Sequence, residues 1–288
     1  PYAEGMTAPD ILRYAAFTTQ PGGGNPAGVV LDAATLTDAE MQQIAIDVDD
    51  AETAFVTGAT GDGAVAVRYF SPVAEMPFCG HATVATAIAL AERGLVAADE
   101  AIRFSTAAGE VSIDVSSDDT GIRAAFTSID PVVSDLSAAD TAAILALLGL
   151  DLDALDPDLP PRLSHAGNSH PVVALADRAT FDGFVFDPTA ARTLLDARGW
   201  PATITIIHRT GPDRFAARNI FPVGRITEDP ATGSAAASAG AYLRELGAVE
   251  APGRIVIDQG GHVGRPGTLI VDIPAAGGIV VSGYAVRL

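Results

Sequence analysis

Apolar positions along this chain recur with two periods, two and about 3.6 residues, and each change of period marks a change of element. Thr37-Asp38-Ala39-Glu40 fits a capping box, and Met41, Ile44, Ala45 and Val48 follow it at helical spacing. The spacing predicts a helix ending near Asp49 and Asp50, and that acidic pair reads as solvated. Short apolar runs predict strands at 11–17, 27–31, 51–56, 65–70, 101–105, 110–115 and 121–127, with a loop over 71–77. Residues 129–136 read as a linker. Ser137 then caps a helix that stops at Gly149, and an acidic, proline-rich loop fills 151–161. A turn at Gly167-Asn168 runs into a strand, and Pro188-Thr189 opens a helix ending at Gly199. Further strands are predicted near 203–208, 215–221, 254–257, 268–273 and 279–287.

Two stretches break the amphipathic pattern. Glu228-Asp229-Pro230-Ala231-Thr232-Gly233-Ser234 reads as a polar loop, and the residues that follow, up to Leu243, form a helix of unusually small side chains. Phe78-Cys79-Gly80-His81 leads in the same way into a small-residue helix that ends at Arg93-Gly94. Such helices can sit deep in a domain with other backbone packed close. A buried N-terminus that opens on a polar loop offers unpaired N–H groups and the positive end of the dipole, which suit an anion. The plainer reading is that Asp229 or Thr232 only caps its helix, and that His81 caps the other. A shift of 153 carries His81 onto Ser234 (234 − 81 = 153), and the same shift carries Gly94 onto Gly247. Two similar lobes, each with a central small-residue helix wrapped by strands, account for the repeat. Their helix N-termini are expected to meet at an interlobe cleft.

Composition narrows the chemistry. The 288 residues are 48% hydrophobic, with mean hydropathy +0.29, enough for two modest domains or one large one. A net charge of −19 argues against nucleic acid and anionic membranes as partners. All 17 basic residues are arginine, so a Schiff-base lysine and a P-loop are both excluded. Cys79 is the single thiol, which excludes an internal disulfide, a cysteine-rich zinc site and a two-thiol proton-transfer pair. No H-x-x-x-H spacing or cluster of histidine with carboxylate suggests a metal, and none is expected. Pro21-Gly22-Gly23-Gly24-Asn25-Pro26 is not a G-x-G-x-x-G motif and leads into a strand, so it reads as a tight loop lining a pocket. No apolar stretch is long enough to span a bilayer, and Pro1-Tyr2-Ala3-Glu4 does not open a leader pattern. A soluble cytoplasmic protein is the expectation.

The chain resembles the phenazine-biosynthesis PhzF-like proteins, relatives of diaminopimelate epimerase. Gly24-Asn25-Pro26-Ala27, Glu52-Thr53-Ala54-Phe55-Val56, Cys79-Gly80-His81-Ala82-Thr83, Gly167-Asn168, Glu228 to Ala235, Gln259-Gly260 and Gly264-Arg265-Pro266 carry the likeness, in order and over nearly the whole chain. The resemblance implies an α+β fold of two pseudo-symmetric lobes, each a strongly curved mixed β-sheet wrapped around a central small-residue helix. The lobes are expected at 1–128 and 129–278, with a strand at 279–288 returning to the first. A homodimer and cofactor-free isomerisation are also implied. In the best understood member type, a glutamate moves a proton between carbons of dihydro-3-hydroxyanthranilate. Glu52 falls on that glutamate's motif, and His81, Asp229 and Ser234 on the supporting positions. The family often has serine before this glutamate, and Ala51 stands there instead. Thr232 occupies the position of the second thiol of the epimerases, so two-thiol racemisation is not available.

A group that moves a proton between carbons must act as base and then as acid, which suits a carboxylate shielded by apolar neighbours. Ala51, Ala54 and Phe55 supply such neighbours to Glu52, whose plainer role is a surface strand-edge carboxylate. Glu52, His81 and Asp229 are the candidate catalytic residues, and Asn25, Gly80, Asn168, Thr232, Gly233 and Ser234 the candidate substrate-binding ones. Ser234 is expected to donate to a substrate carboxylate along with N–H groups after Gly80 and Gly233; it lacks the G-x-S-x-G elbow of a nucleophile. His165 and His170 are weaker candidates beside Asn168, and Trp200 and Tyr242 read as packing residues. The expected activity is that of a cofactor-independent isomerase acting on a small, cyclic, anionic metabolite. The alternatives are a thiol-independent epimerase or racemase of an amino-acid-derived substrate, and a non-catalytic ligand-binding homologue.

Overall fold

The computed structural model describes residues 9–97, 101–223 and 226–288, so the reading at Pro1–Glu4 lies outside the described residues. The chain divides into two compact units: the part through Phe126 together with Ser282–Leu288, and Thr127–Val281.

The first unit contains β1 (Ile11–Ala16), β2 (Asn25–Val30), α1 (Asp38–Val48), β3 (Glu52–Ala59), β4 (Val65–Phe70), β5 (Glu75–Met76), α2 (Gly80–Glu92), β6 (Ala101–Thr106), β7 (Gly109–Asp118) and β8 (Gly121–Thr127). The second contains β9 (Val132–Asp135), α3 (Ala138–Leu148), β10 (Arg162–His165), β11 (Ser169–Ala174), α4 (Arg178–Gly183), α5 (Pro188–Arg198), β12 (Ile204–Arg209), β13 (Arg214–Val223), β14 (Ile226–Asp229), α6 (Gly233–Glu245), β15 (Gly253–Gln259) and β16 (Gly267–Ile273). The last strand, β17 (Val280–Arg287), gives most of its length to the first unit.

In the first unit β1 pairs antiparallel with β2, β2 parallel with β3, β3 antiparallel with β4, and β4 parallel with β6. β6, β7 and β8 follow as an antiparallel meander. β17 bonds to both β8 and β1, with Tyr14 opposite Arg287, and this closes the run of strands on itself. α2 packs on β1, β2, β3 and β7, and every residue from His81 to Leu90 is buried. A helix apolar on all sides belongs in an interior, and alanine and threonine keep this one narrow enough to fit. α1 lies across β3 and β4, where Met41, Ile44 and Ala45 meet Val30, Phe55 and Phe70. Its capping box is formed in both directions, Glu40 Oε2 accepting from the Thr37 N–H at 2.8 Å and Thr37 Oγ1 accepting from the Glu40 N–H at 3.3 Å.

In the second unit β9, β10 and β11 run antiparallel, β11 pairs parallel with β12, and β12, β13 and β14 continue antiparallel. β13 also pairs parallel with β15, which is antiparallel to β16. α6 packs on β9, β10, β11 and β16 and is buried from Ala235 to Leu243. A Cβ on Gly240 would come 2.9 Å from both Val271 and Ile279, so the helix lies hard against its neighbours at that point. α3, α4 and α5 cover another apolar layer, built on Phe181, Leu195, Trp200, Ile204 and Ile206.

Three readings of the sequence change. The linker 129–136 contains β9, where two adjacent valines precede Ser134 and Asp135 with no alternation and little burial to mark a strand. The polar loop at 228–234 begins inside β14, so Glu228 and Asp229 stand on a strand. Asp50 is buried, not solvated, because Arg13 Nη2 and Nε hold its two carboxylate oxygens at 2.5 and 2.9 Å.

Candidate active site

Glu52 opens β3 beside Ala27 of β2, and a Cβ on Gly28, one step along, would come 2.6 Å from Thr53. That close strand approach brings Asn25, at the start of β2, to the same end of the sheet as Glu52. The start of α2 meets both. Its N-cap, Cys79, is extended and makes no side-chain cap bond, and His81 follows two residues on. Both side chains turn instead to the strand ends. Cys79 Sγ donates to Glu52 Oε2 at 3.5 Å, and His81 Nε2 lies 3.3 Å from the same oxygen. His81 Nδ1 lies 3.2 Å from the Asn25 amide nitrogen and 3.3 Å from Cys79 Sγ. Asn25 is fully buried, His81 and Cys79 nearly so, while the Glu52 side chain keeps 15% of its exposure. Burial pushes the His81 pKa down to about 3, so the ring beside Glu52 is neutral and the contact is not an ion pair. Behind the cluster, Tyr69 Oη and Thr83 Oγ1 are 2.6 Å apart, and Thr83 Oγ1 donates to the Cys79 carbonyl at 2.8 Å.

The second unit places Asp229 at the end of β14 and Thr232 at the N-cap of α6, and the Thr232 side chain makes no cap bond. Thr232 Oγ1 donates to Asp229 Oδ2 at 2.6 Å. Gln259 ties the turn: its Nε2 donates to the Asp229 carbonyl at 2.7 Å and to Thr232 Oγ1 at 2.9 Å, and its Oε1 accepts from the Thr232 N–H at 3.2 Å. Gly260, with φ +82°, lies so close to the Pro230 carbonyl that a Cβ would come within 2.4 Å of its oxygen. Upstream, Glu228 receives Arg218 Nη2 at 2.5 Å, and Arg218 stacks 3.5 Å from the Phe184 ring.

Ser234 sits one residue into α6, and its Oγ lies 3.1 Å from His170 Nε2. His170 Nδ1 lies 3.2 Å from the Thr203 carbonyl, which can only accept, so the proton belongs on Nδ1. Nε2 then accepts the Ser234 proton. In that tautomer the hydroxyl expected to donate to a substrate carboxylate is already committed, and the first-turn N–H groups remain the donors. Thr203 and Thr205 both donate to Asn219 Oδ1, at 2.9 and 2.7 Å, behind this pair. Burial lowers the His170 pKa to about 4.

The structure thus gathers Asn25, Glu52, Gly80 and His81 in the first unit, and Asp229, Thr232, Gly233 and Ser234 in the second. Asn168 lies in the turn between β10 and β11, where its carbonyl accepts from the Ala166 N–H at 3.3 Å. Cys79, His170 and Gln259 join these sets. Only the motif around Gln259 and the position of Cys79 had pointed to two of them, and His170 had ranked as a weaker candidate.

The profile of the family described as phenazine biosynthesis-like protein, PhzC-PhzF, matches residues 14–288. The chain belongs to this family. An uncharacterised isomerase of Bacillus subtilis is 32% identical over 281 residues, covering 96% of this chain and 94% of that protein. A trans-2,3-dihydro-3-hydroxyanthranilate isomerase of Pseudomonas chlororaphis is 31% identical over 252 residues, covering 87% of this chain and 85% of its own. The crystal structure of a PhzF-family protein of Bacillus anthracis superposes with a TM-score of 0.85 at 28% identity, covering 98% of both chains. By family, the chain is an isomerase. No helix among the described residues is long and apolar enough to cross a membrane.

Proposed function

We propose that this isomerase needs no cofactor and moves a proton between carbons of a small, cyclic, carboxylate-bearing metabolite, as a trans-2,3-dihydro-3-hydroxyanthranilate isomerase does. The observation that carries the reading is the placement of Glu52: one oxygen held by Cys79 and His81 at 3.5 and 3.3 Å, on a side chain that keeps limited access to solvent. Glu52 removes a C–H proton, and the electron pair left behind shifts the double bond. The carboxylic acid so formed returns the proton to another carbon on the same face. Both steps are general acid–base catalysis by one group. His81 steadies the carboxylate, with Asn25 behind it. Asp229 takes a polar group of the substrate, and Asn168, Thr232 and the N–H groups after Gly80 and Gly233 bind the rest, including its carboxylate, while Ser234 stays bonded to His170. The reading includes two pseudo-symmetric lobes and a cytoplasmic homodimer, the latter open to analytical ultracentrifugation.

The test is proton exchange followed by NMR in deuterated water, with trans-2,3-dihydro-3-hydroxyanthranilate and related cyclic amino acids as substrates. Glu52→Gln should lose roughly 10²- to 10⁴-fold in turnover. Full activity in that variant would end the assignment. Inversion of a stereocentre without movement of a double bond would replace it with an epimerase.

A further inference from the structure

Glu52, Cys79 and His81 also meet a description that owes nothing to proton transfer. Their ligand atoms lie within 4.8 Å of one another. Cys79 Sγ is 3.5 Å from Glu52 Oε2, that oxygen is 3.3 Å from His81 Nε2, and the nitrogen is 3.8 Å from Sγ. Tetrahedral zinc, with bonds of about 2.3 Å to sulfur and about 2.0 Å to nitrogen and oxygen, sets those edges at ~3.5, ~3.3 and ~3.5 Å. The triangle found fits that geometry to within about 0.3 Å on every edge. A ligating imidazole also needs a partner for its second nitrogen. His81 Nδ1 has the Asn25 amide at 3.2 Å, whose oxygen and nitrogen can exchange places by a turn of the side chain. Charge agrees as well: a thiolate and a carboxylate neutralise a divalent ion, which suits a mostly buried site.

We propose that Glu52, Cys79 and His81 bind one divalent cation of the zinc class, and that its occupancy silences the enzyme. On binding, the Cys79 S–H bond breaks and its proton leaves to solvent as the sulfur–metal bond forms. Glu52 Oε2 and His81 Nε2 each give a lone pair, the imidazole proton sits on Nδ1, and water takes the fourth position. The thiolate and imidazole select zinc, cobalt and their neighbours over magnesium and calcium. Binding stands on the geometry alone; the silencing rests on the proposed role of Glu52, whose carboxylate the ion occupies.

Cobalt(II) is the probe, titrated into the purified 288-residue chain. One equivalent should give a thiolate-to-cobalt band in the near ultraviolet and intense visible bands of tetrahedral cobalt, and zinc should bleach both. Cys79 is the only cysteine of the chain, so the near-ultraviolet band has a single origin. Loss of an outer-shell partner already costs 10- to 100-fold in affinity, so Cys79→Ser should abolish the band and weaken binding at least roughly 100-fold. His262→Gln, at the surface pair with Asp182, should change neither. Alkylation of Cys79 in the wild type, slowed by zinc, gives the same answer if the serine variant does not fold. A wild type without the thiolate band, or a serine variant that binds equally well, would overturn the site even if proton exchange proceeds normally. Zinc bound through Cys79 with proton exchange unimpaired would leave the site standing and overturn the silencing, and with it the role of Glu52.

Discussion

α2 and α6 are the same device built twice. Each has 13 residues, starts at glycine, follows an extended N-cap with no capping side chain, and runs almost wholly buried. Each is followed by a glycine of positive φ, Gly94 at +66° and Gly247 at +62°. What stands at the two open N-termini differs. In the first unit a carboxylate, a thiol and an imidazole meet at 3.3 to 3.8 Å, long contacts that a substrate can replace. In the second, Asp229, Thr232 and Gln259 are joined at 2.6 to 2.9 Å through a hydroxyl that both donates and accepts. One backbone frame therefore serves two purposes: loosely held titratable groups suit reaction, and a tightly bonded network suits holding a shape.

The largest contrast should be in activity. Glu52→Gln is expected to lower kcat by the factor given above, whereas Thr232→Val, which unties the Asp229 turn, should act chiefly on KM. Steady-state kinetics of the two variants separate these effects, and a pure kcat loss in Thr232→Val would erase the division of labour. Next come the ion pairs. Arg218 and Glu228 are both buried, so Glu228→Gln strands a charge and should cost about 3–5 kcal/mol in denaturant unfolding. Arg13 is half exposed, so Asp50→Asn in the first unit should cost only about 1 kcal/mol.

Acid should find the second unit through His170. Its folded pKa of about 4 lies below the usual value near 6.5, so between those pH values the unfolded chain takes up a proton that the folded chain refuses. Its stabilising contribution is complete above pH 6.5 and is lost as the pH falls towards 4, on the order of 3 kcal/mol in all. His170→Asn should make the stability–pH curve shallower across that window, leaving the slope that His81, with its pKa of about 3, contributes. The smallest effect should also be the most symmetric. A Cβ at Gly94 or Gly247 meets nothing within 4 Å, so alanine at either should cost only backbone strain, about 1 kcal/mol. Unequal costs would show that the two helix ends are not equivalent.

These contrasts track what sequence could and could not reveal. The capping box at Thr37, the glycine stops and the matched helix starts are local patterns, and each is legible without a fold. The short α4 has too few turns to show a period, and β9 too few buried positions. The partnerships at the sites are set by tertiary distance. Arg13 reaches Asp50 across 37 residues, Cys79 reaches Glu52 across 27, and Ser234 reaches His170 across 64. His170 looked like an ordinary residue near a turn because its partner belongs to a helix far along the chain. Motif knowledge pointed to Glu52 and His81 as positions, but the contact geometry around them comes only from the closing of β2, β3 and α2.

The ring of strands in the first unit is completed by β17, which bonds to β1 and β8. This orders assembly during synthesis. The second unit is one continuous segment, Thr127–Val281, and can finish as soon as it leaves the ribosome. The first unit starts earlier in the chain but takes its closing strand from Ser282–Leu288, so its ring of strands closes only after the whole of the second unit has been made.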